Sequence, residues 1–374
     1  MHTRVEISKK ALELNIQNYR KLIGEKTLFV AVVKSNAYGH GILEIAKLSL
    51  EFGADLLGVN SLEEATLLRK NFPEAKILIM GEVLDREKKI LEQSDENFWF
   101  IVSRKEEVSF LNQLNPRPKI HLKVDTGMSR LGYSGEAFQK ELEEIHRNNL
   151  LIDGLMTHFA STEDFTEHSY SYYQLNQFNH WKKFIESLGY KDLIYHASSS
   201  ASTLLFPDAR FDMVRVGISL YGLWASLETR LSLTLLGKDF DLHPVMSWKT
   251  RVVHIQDLDA GKFIGYGSTY KTRTKTRVAV IPIGYHEGYN RRLSNQGYVL
   301  VRGERAPIVG RVCMNMSMID ITHIPDISIG EEVVIIGRSG KEIISADLLA
   351  NLSGTINYDI VTSVQKEIPR VIVD

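Results

Sequence analysis

From residue 27 to about 222, short apolar runs alternate with amphipathic stretches, the pattern of strands separated by helices. Eight of the runs predict strands, at 28–33, 55–59, 76–80, 98–102, 119–124, 152–157, 193–196 and 213–216. Between them, 61–70 predicts a helix opened by a Ser61…Glu64 capping box, and 169–188 predicts another. Strand and helix in regular alternation over this length point to a (β/α)8 barrel rather than an open doubly wound sheet.

After about residue 245 the pattern changes. Short strands follow one another, at 250–255, 277–282, 298–301, 308–312, 317–321 and 332–336. Glycine-bearing turns at Gly261, Gly297, Gly303 and Gly340 separate them. One short helix, capped by Ser345 and closed near Gly354, interrupts the series. The fold class expected is therefore α/β, with an N-terminal (β/α)8 TIM-like barrel over 1–245 and a mainly β C-terminal domain over 246–374.

Composition narrows the function classes. With 374 residues there is material for two domains. A net charge of −1 leaves no basic excess to neutralise phosphates, so neither nucleic acid nor a membrane surface is the expected partner. Cys313 is the single cysteine, which rules out an intrachain disulfide and fits a reducing compartment. The opening residues lack an apolar signal core and no uncharged run approaches membrane-spanning length. A cytoplasmic enzyme or binding protein is expected, with no metal site.

Barrels gather their chemistry at the carboxyl ends of their strands. Lys34 follows the first predicted strand, Asp125 to Arg130 the fifth, and His158 the sixth; Ser198 to Ser200 follow the seventh, and Arg215, Gly217 and Ile218 end the eighth. A strand-terminal lysine can be desolvated, its pKa lowered, and its neutral amine used to form a Schiff base. Ser200, Gly217 and Ile218 offer a hydroxyl and unhindered N–H groups where many barrels hold phosphate. Lysine and phosphate cradle together suggest a phosphorylated aldehyde cofactor, pyridoxal phosphate. Lys123 alternates with Ile120, Leu122 and Val124, so it projects from the opposite strand face, into the barrel.

The string Ala31-Val-Val-Lys34-Ser-Asn-Ala-Tyr38-Gly39-His40-Gly41 closely resembles the pyridoxal-phosphate signature of bacterial alanine racemases. The resemblance continues through Lys123 to Gly132, Met156 to Ala160, Arg215 to Ile218, Gly265-Tyr266-Gly267, Pro282 to Tyr285, Gly310 to Met314 and Thr355 to Tyr358. It spans both domains, in order. It implies racemisation of alanine with two acid/bases, Lys34 and Tyr266, on opposite faces of the substrate. His158 and Arg215 match a relay beside Tyr266, and Arg215 matches the residue on the pyridine nitrogen. Tyr38, His158, Ser200, Gly217, Ile218 and Tyr358 match cofactor-binding positions. Arg130 and Met314 match substrate-carboxylate contacts, and Lys123 matches a lysine carbamylated in the family. Tyr285 and Tyr358 resemble an inner gate, and Arg291 and Arg311 an outer corridor. The resemblance also implies a head-to-tail homodimer with shared active sites, a small-molecule substrate, and D-alanine supplied for peptidoglycan.

Three positions depart from the family pattern. Asn315 stands where aspartate is common, Ser199 replaces the asparagine of an asparagine–serine pair, and Asp359 replaces a glutamate. Alternatives to alanine racemisation are a broader amino-acid racemase acting on serine, a non-catalytic pyridoxal-phosphate carrier, and a barrel decarboxylase. Tyr266 and Met314 in the second domain speak against the carrier, and Arg215, in place of an acidic partner, against the decarboxylase.

Overall fold

The computed structural model describes residues 2–83, 96–163 and 168–374. Two compact units emerge: residues 12–35 with 45–243, and residues 1–11 with 36–44 and 244–374. Strand β1 (Arg4–Ser8) opens the chain and belongs to the second of these.

The first unit is built on eight parallel strands: β2 (Leu28–Val32), β3 (Leu56–Val59), β4 (Ile77–Ile79), β5 (Phe98–Val102), β6 (Lys119–Lys123), β7 (Gly154–Met156), β8 (Ile194–His196) and β9 (Met213–Val216). Their order is β8-β7-β6-β5-β4-β3-β2-β9. The seam between β8 and β9 is bridged by Asp212 N–H to Tyr195 O and Arg215 N–H to Ser198 O, both at 3.1 Å, so the sheet is nearly closed. All eight expected strands are present, with ends within two residues of the expected ones. Helices cover the sheet from outside, so the strands are buried on both faces and are read as continuous apolar runs. The polar exceptions lie inside: His121, Lys123, His196 and Arg215 are all buried.

The expected helices also form. Leu62–Asn71 is capped by Ser61, whose Oγ accepts from Glu64 N–H at 3.3 Å, and His168–Ser187 covers the second predicted stretch.

The second unit holds β10 (Met246–Arg251), β11 (His254–Leu258), β12 (Phe263–Ile264), β13 (Tyr270–Lys271), β14 (Thr276–Ile281), β15 (Tyr298–Val301), β16 (Glu304–Pro307), β17 (Ser317–Asp320), β18 (Glu332–Ser339), β19 (Glu342–Ile344) and β20 (Arg370–Val373). One mixed sheet runs β16-β15-β18-β10-β1-β20, with β19 added to β18; a second runs β11-β14-β17; β12 and β13 form a hairpin. The helix Ala346–Ser353 stands as expected, with Ser345 Oγ accepting Leu348 N–H at 3.0 Å and Gly354 closing it at φ 66°.

Two expectations for this unit fail for visible reasons. The single strand at 250–255 is two, because the chain changes sheets: Val252 N–H goes to Glu331 O and Val253 N–H to Val280 O, both at 2.9 Å. No strand forms at 308–312. Only an isolated bridge joins Ile308 to Ile319, and Gly310 turns the chain at φ 83°, where a Cβ would lie 2.6 Å from Ile264 O. Among the described residues, no helix is long and apolar enough to cross a membrane.

Candidate active site

Past β2, Val33 N–H still reaches Gly58 O at 2.8 Å, so Lys34 is the first residue to leave the sheet. Lys34–Tyr38 forms one helical turn, with Ser35, Asn36, Ala37 and Tyr38 at φ 55°, 54°, 52° and 51°. The turn is therefore left-handed, a conformation costing roughly 1–2 kcal/mol per non-glycine residue. Such strain persists only where the surroundings impose it. Burial, and after it the charge of Arg130, push the Lys34 amine below the ordinary lysine range, against an opposing pull from the Glu64 carboxylate.

Lys34 belongs to an electrostatic cluster at the strand ends of β2, β6, β7 and β9. Lys123, only 6% exposed, is pushed down to about 8 by burial and then by Arg130 and Arg215. Its inward projection follows from strand alternation, as expected. Among the described residues, no carboxylate hydrogen-bonds its amine. Burial, with Arg215, Arg130, Lys123 and Lys34 behind it, holds His158 down to about 3, so the imidazole is neutral. Arg130 is exposed on the loop after β6. Asp125 shapes that loop by accepting the N–H groups of Gly127, Met128 and Ser129 at 2.9, 2.8 and 3.1 Å.

Arg215 is the most heavily constrained member. Its Nη2 donates to Thr157 O at 2.9 Å and Ala197 O at 3.0 Å, and lies 3.4 Å from His158 Nδ1. Its Nη1 lies 2.8 Å from His196 Nδ1, and His196 Nε2 lies 2.9 Å from His121 Nδ1. Guanidinium has no acceptor, so His196 Nδ1 accepts, its Nε2 carries the proton, and His121 Nδ1 accepts in turn. Both rings are thus neutral, and burial keeps His196 well below the usual histidine range and His121 down to about 3. Gly154 makes room for His121: a Cβ there would lie 2.4 Å from its Nδ1. These two histidines escaped the sequence reading. The available signal was that His121 shares a strand face with Lys123.

Ser200 begins the helix Ser200–Leu205, and its Oγ accepts Gly217 N–H at 2.9 Å, joining the loops after β8 and β9. Ile218 continues the second loop as a buried residue. The departure at Ser199 has a local use, since Ser199 is the N-cap and its Oγ lies 3.1 Å from Ser202 Oγ.

The remaining candidates lie in the second unit. Tyr266 opens the turn Tyr266–Ser268 and is 70% exposed. Arg311 packs against that turn, since a Cβ on Gly267 would lie 3.0 Å from its guanidinium carbon. Arg291 and Arg311 line one cleft with Thr269 and Ser294, and Tyr285 and Arg291 line another with Asn36 and Gly39. Tyr38 and Tyr358 have ring centroids 6.1 Å apart. Tyr285 N–H reaches Cys313 O at 3.0 Å and His286 N–H reaches Met314 O at 2.9 Å, fixing the exposed Met314 beside the exposed Tyr285. Asn315 donates to Glu287 Oε1 at 2.7 Å, a bond an aspartate would replace with repulsion. Asp359 accepts from Thr355 Oγ1 at 2.9 Å, a local bond within its own helix entry.

Two family models match the chain: alanine racemase, N-terminal domain, over residues 7–224, and alanine racemase, C-terminal domain, over 245–372. A curated alanine racemase from Leptospira interrogans is 50% identical over 371 residues, covering 99% of this chain and 95% of the relative. The crystal structure of alanine racemase from Bacillus anthracis with bound L-Ala-P aligns with TM-score 0.89 at 37% identity, over 100% of this chain and 95% of that one. That of Bartonella henselae, with covalently bound pyridoxal phosphate, aligns with TM-score 0.84 at 27% identity over the whole of both chains. The chain belongs to the alanine racemase family and is an isomerase.

Proposed function

We propose that the chain interconverts L-alanine and D-alanine, removing the Cα proton on one face and returning one on the other, with pyridoxal phosphate held on Lys34. The observation that carries this is the half-buried Lys34 amine, its pKa lowered by burial, grouped with Arg130, His158 and Arg215 at one barrel rim. The residues fit the cofactor: a depressed amine suits an aldehyde carbon, the Ser200 hydroxyl beside Gly217 N–H suits a phosphate, and a permanently charged arginine suits a ring nitrogen. The Bartonella relative's covalently bound cofactor supports the same assignment. When bound, pyridoxal phosphate supplies a conjugated ring that delocalises the electron pair left at Cα.

Lys34 moves the proton on one face, using the neutral form that its burial favours. Tyr266 serves the other face, with His158 and Arg215 as its relay. Arg215 would stand at the ring nitrogen, and because a guanidinium does not surrender its proton it would leave that nitrogen unprotonated and so restrain side reactions. Tyr38, Ser200, Gly217, Ile218 and Tyr358 hold the phosphate, and Arg130 with the Met314 N–H holds the substrate carboxylate. Tyr285 and Tyr358 narrow the inner entrance to a methyl-sized side chain, with Arg291 and Arg311 outside. Residues 1–245 thus serve the cofactor, and 246–374 contribute the second acid/base.

Lys123 is proposed to carry a carbamate. An amine pushed down to about 8 is neutral in roughly a tenth of molecules at pH 7, far more than an ordinary lysine, and the neutral amine adds carbon dioxide and releases a proton. The resulting anion offsets Arg130. The exposed Tyr266, Tyr285 and Met314 support a face that a second subunit covers, in a head-to-tail homodimer sharing its active sites. We place the enzyme in the cytoplasm, supplying D-alanine for peptidoglycan.

The test is incubation of purified, cofactor-loaded protein with L-alanine in heavy water, resolving both enantiomers. D-alanine deuterated at Cα is expected. Unlabelled L-alanine alone, with cofactor demonstrably on Lys34, refutes the assignment.

A further inference from the structure

Glu64 has the sequence position of a capping-box residue, yet its carboxylate does not return to the Ser61 N–H. Oε1 accepts the N–H of Ser35 at 2.6 Å, and Oε2 accepts the N–H of Asn60 at 2.9 Å. Ser35 is the residue after Lys34, and Asn60 the residue after β3. One side chain therefore ties the exit of β2 to the exit of β3. Its own helix holds it still, since Glu64 N–H donates to the Ser61 cap. The brace extends one strand further: a Cβ on Gly81, just beyond β4, would lie 2.1 Å from Asn60 O, so that backbone lies flush against the Asn60 carbonyl.

Ser35 also begins the left-handed run, at φ 55°. A serine in that region relaxes toward right-handed backbone unless something holds its peptide. A rotation there would swing the Lys34 side chain off its line. Both bonds from Glu64 are charge-assisted, the stronger class of hydrogen bond.

We propose that Glu64 is a positioning residue for Lys34: by gripping the Ser35 and Asn60 N–H groups it fixes where the Lys34 amine stands. The inference rests on the reading of Lys34 as the reactive amine. The carboxylate has a second effect on the same group, because its charge favours the protonated Lys34 against burial and Arg130. Glu64 acts through Lys34 and its turn.

The experiment uses full-length, cofactor-loaded protein as wild type, Glu64→Gln and Glu64→Ala. Amide exchange of the peptides containing Ser35 and Asn60 is followed by mass spectrometry, beside kcat and KM for L-alanine. Glu64→Ala is expected to speed exchange in both peptides and to lower kcat about ten- to a hundredfold, with KM changed less than about threefold. The amide of Glu64→Gln accepts one N–H and turns a donor on the other, so its exchange and kcat should fall between the two. If Glu64→Ala does not fold, the Gln variant carries the test. Wild-type exchange and kcat in Glu64→Gln and in any folded Ala variant overturn the proposal. Borohydride reduction of the loaded wild type, followed by peptide mapping, checks the underlying reading separately. Cofactor fixed on another lysine defeats the Lys34 assignment itself, whatever Glu64 does.

Discussion

Arg215 holds His196 in a single tautomer. Its Nη1 lies 2.8 Å from His196 Nδ1, and since guanidinium only donates, the proton of the imidazole must sit on Nε2. The guanidinium is thereby held on three sides, by His196, Thr157 O and Ala197 O.

Replacing His196 should test that hold. In His196→Asn the side-chain oxygen can stand near the position of Nδ1 and still accept from Arg215; in His196→Phe nothing accepts. The Phe variant should lose about tenfold or more in kcat, with substantial recovery in the Asn variant. Equal losses in both would mean that the ring only fills space. Nitrogen-15 shifts of the wild type should show His196 neutral and protonated at Nε2.

Arg215→Glu would set a carboxylate against the carbonyls of Thr157 and Ala197 and reverse the charge beside His158. Racemisation should fall by about a hundredfold or more. A proton donated toward the cofactor ring should also produce a new long-wavelength absorption band with substrate present. An unchanged rate and spectrum would refute the role given to Arg215.

Acid stability offers a check that is independent of turnover. His121 is held neutral by burial, down to about 3, against an ordinary value of 6.5. Between those values the unfolded chain binds a proton that the folded one does not. Stability therefore rises with pH across that window and is lost as pH falls through it, by up to about 1.4 kcal/mol per pH unit. Urea titrations at pH 6.5 and 5 should show a smaller loss for His121→Phe than for wild type. An identical loss would show that His121 is not held neutral.

Gly284 allows the segment carrying Met314 to lie against Tyr285. A Cβ there would sit 2.2 Å from Cys313 O and 2.3 Å from Met314 O. Gly284→Ala should displace that segment, cost about 1–3 kcal/mol of stability and raise KM for alanine more than it lowers kcat. A calorimetric scan and steady-state kinetics together would measure both; a silent substitution would remove Met314 from the substrate's surroundings.

The barrel was legible because its strands are buried on both faces, leaving short apolar runs with a polar residue soon after, as Lys34 follows β2, Asn60 follows β3 and Ser103 follows β5. Lys34, Arg215 and Ser200 could be placed at the rim from those stops alone. The partners of Arg215 could not. His121 and His196 lie on β6 and β8, on either side of β7, and their rings meet over Gly154, a contact that no local sequence pattern specifies. Glu64 was read correctly as a helix-entry residue, but the N–H groups it reaches come from two other strand exits. The switch of sheets at Val252 and Val253 was invisible for the same reason: two consecutive valines look like one strand until their partners are known.

Strand β1 lies between β10 and β20, antiparallel to the first and parallel to the second. On a ribosome, residues 4–8 emerge long before residues 246–251 and 370–373, so β1 has neither neighbour until both of those have been made. The eight barrel strands, complete at Val216, can pair while β1 is still waiting. From its synthesis until those partners are made, β1 therefore stays an unpaired strand with alternating apolar and polar residues, and that strand is where a chaperone or a neighbouring nascent copy would first take hold.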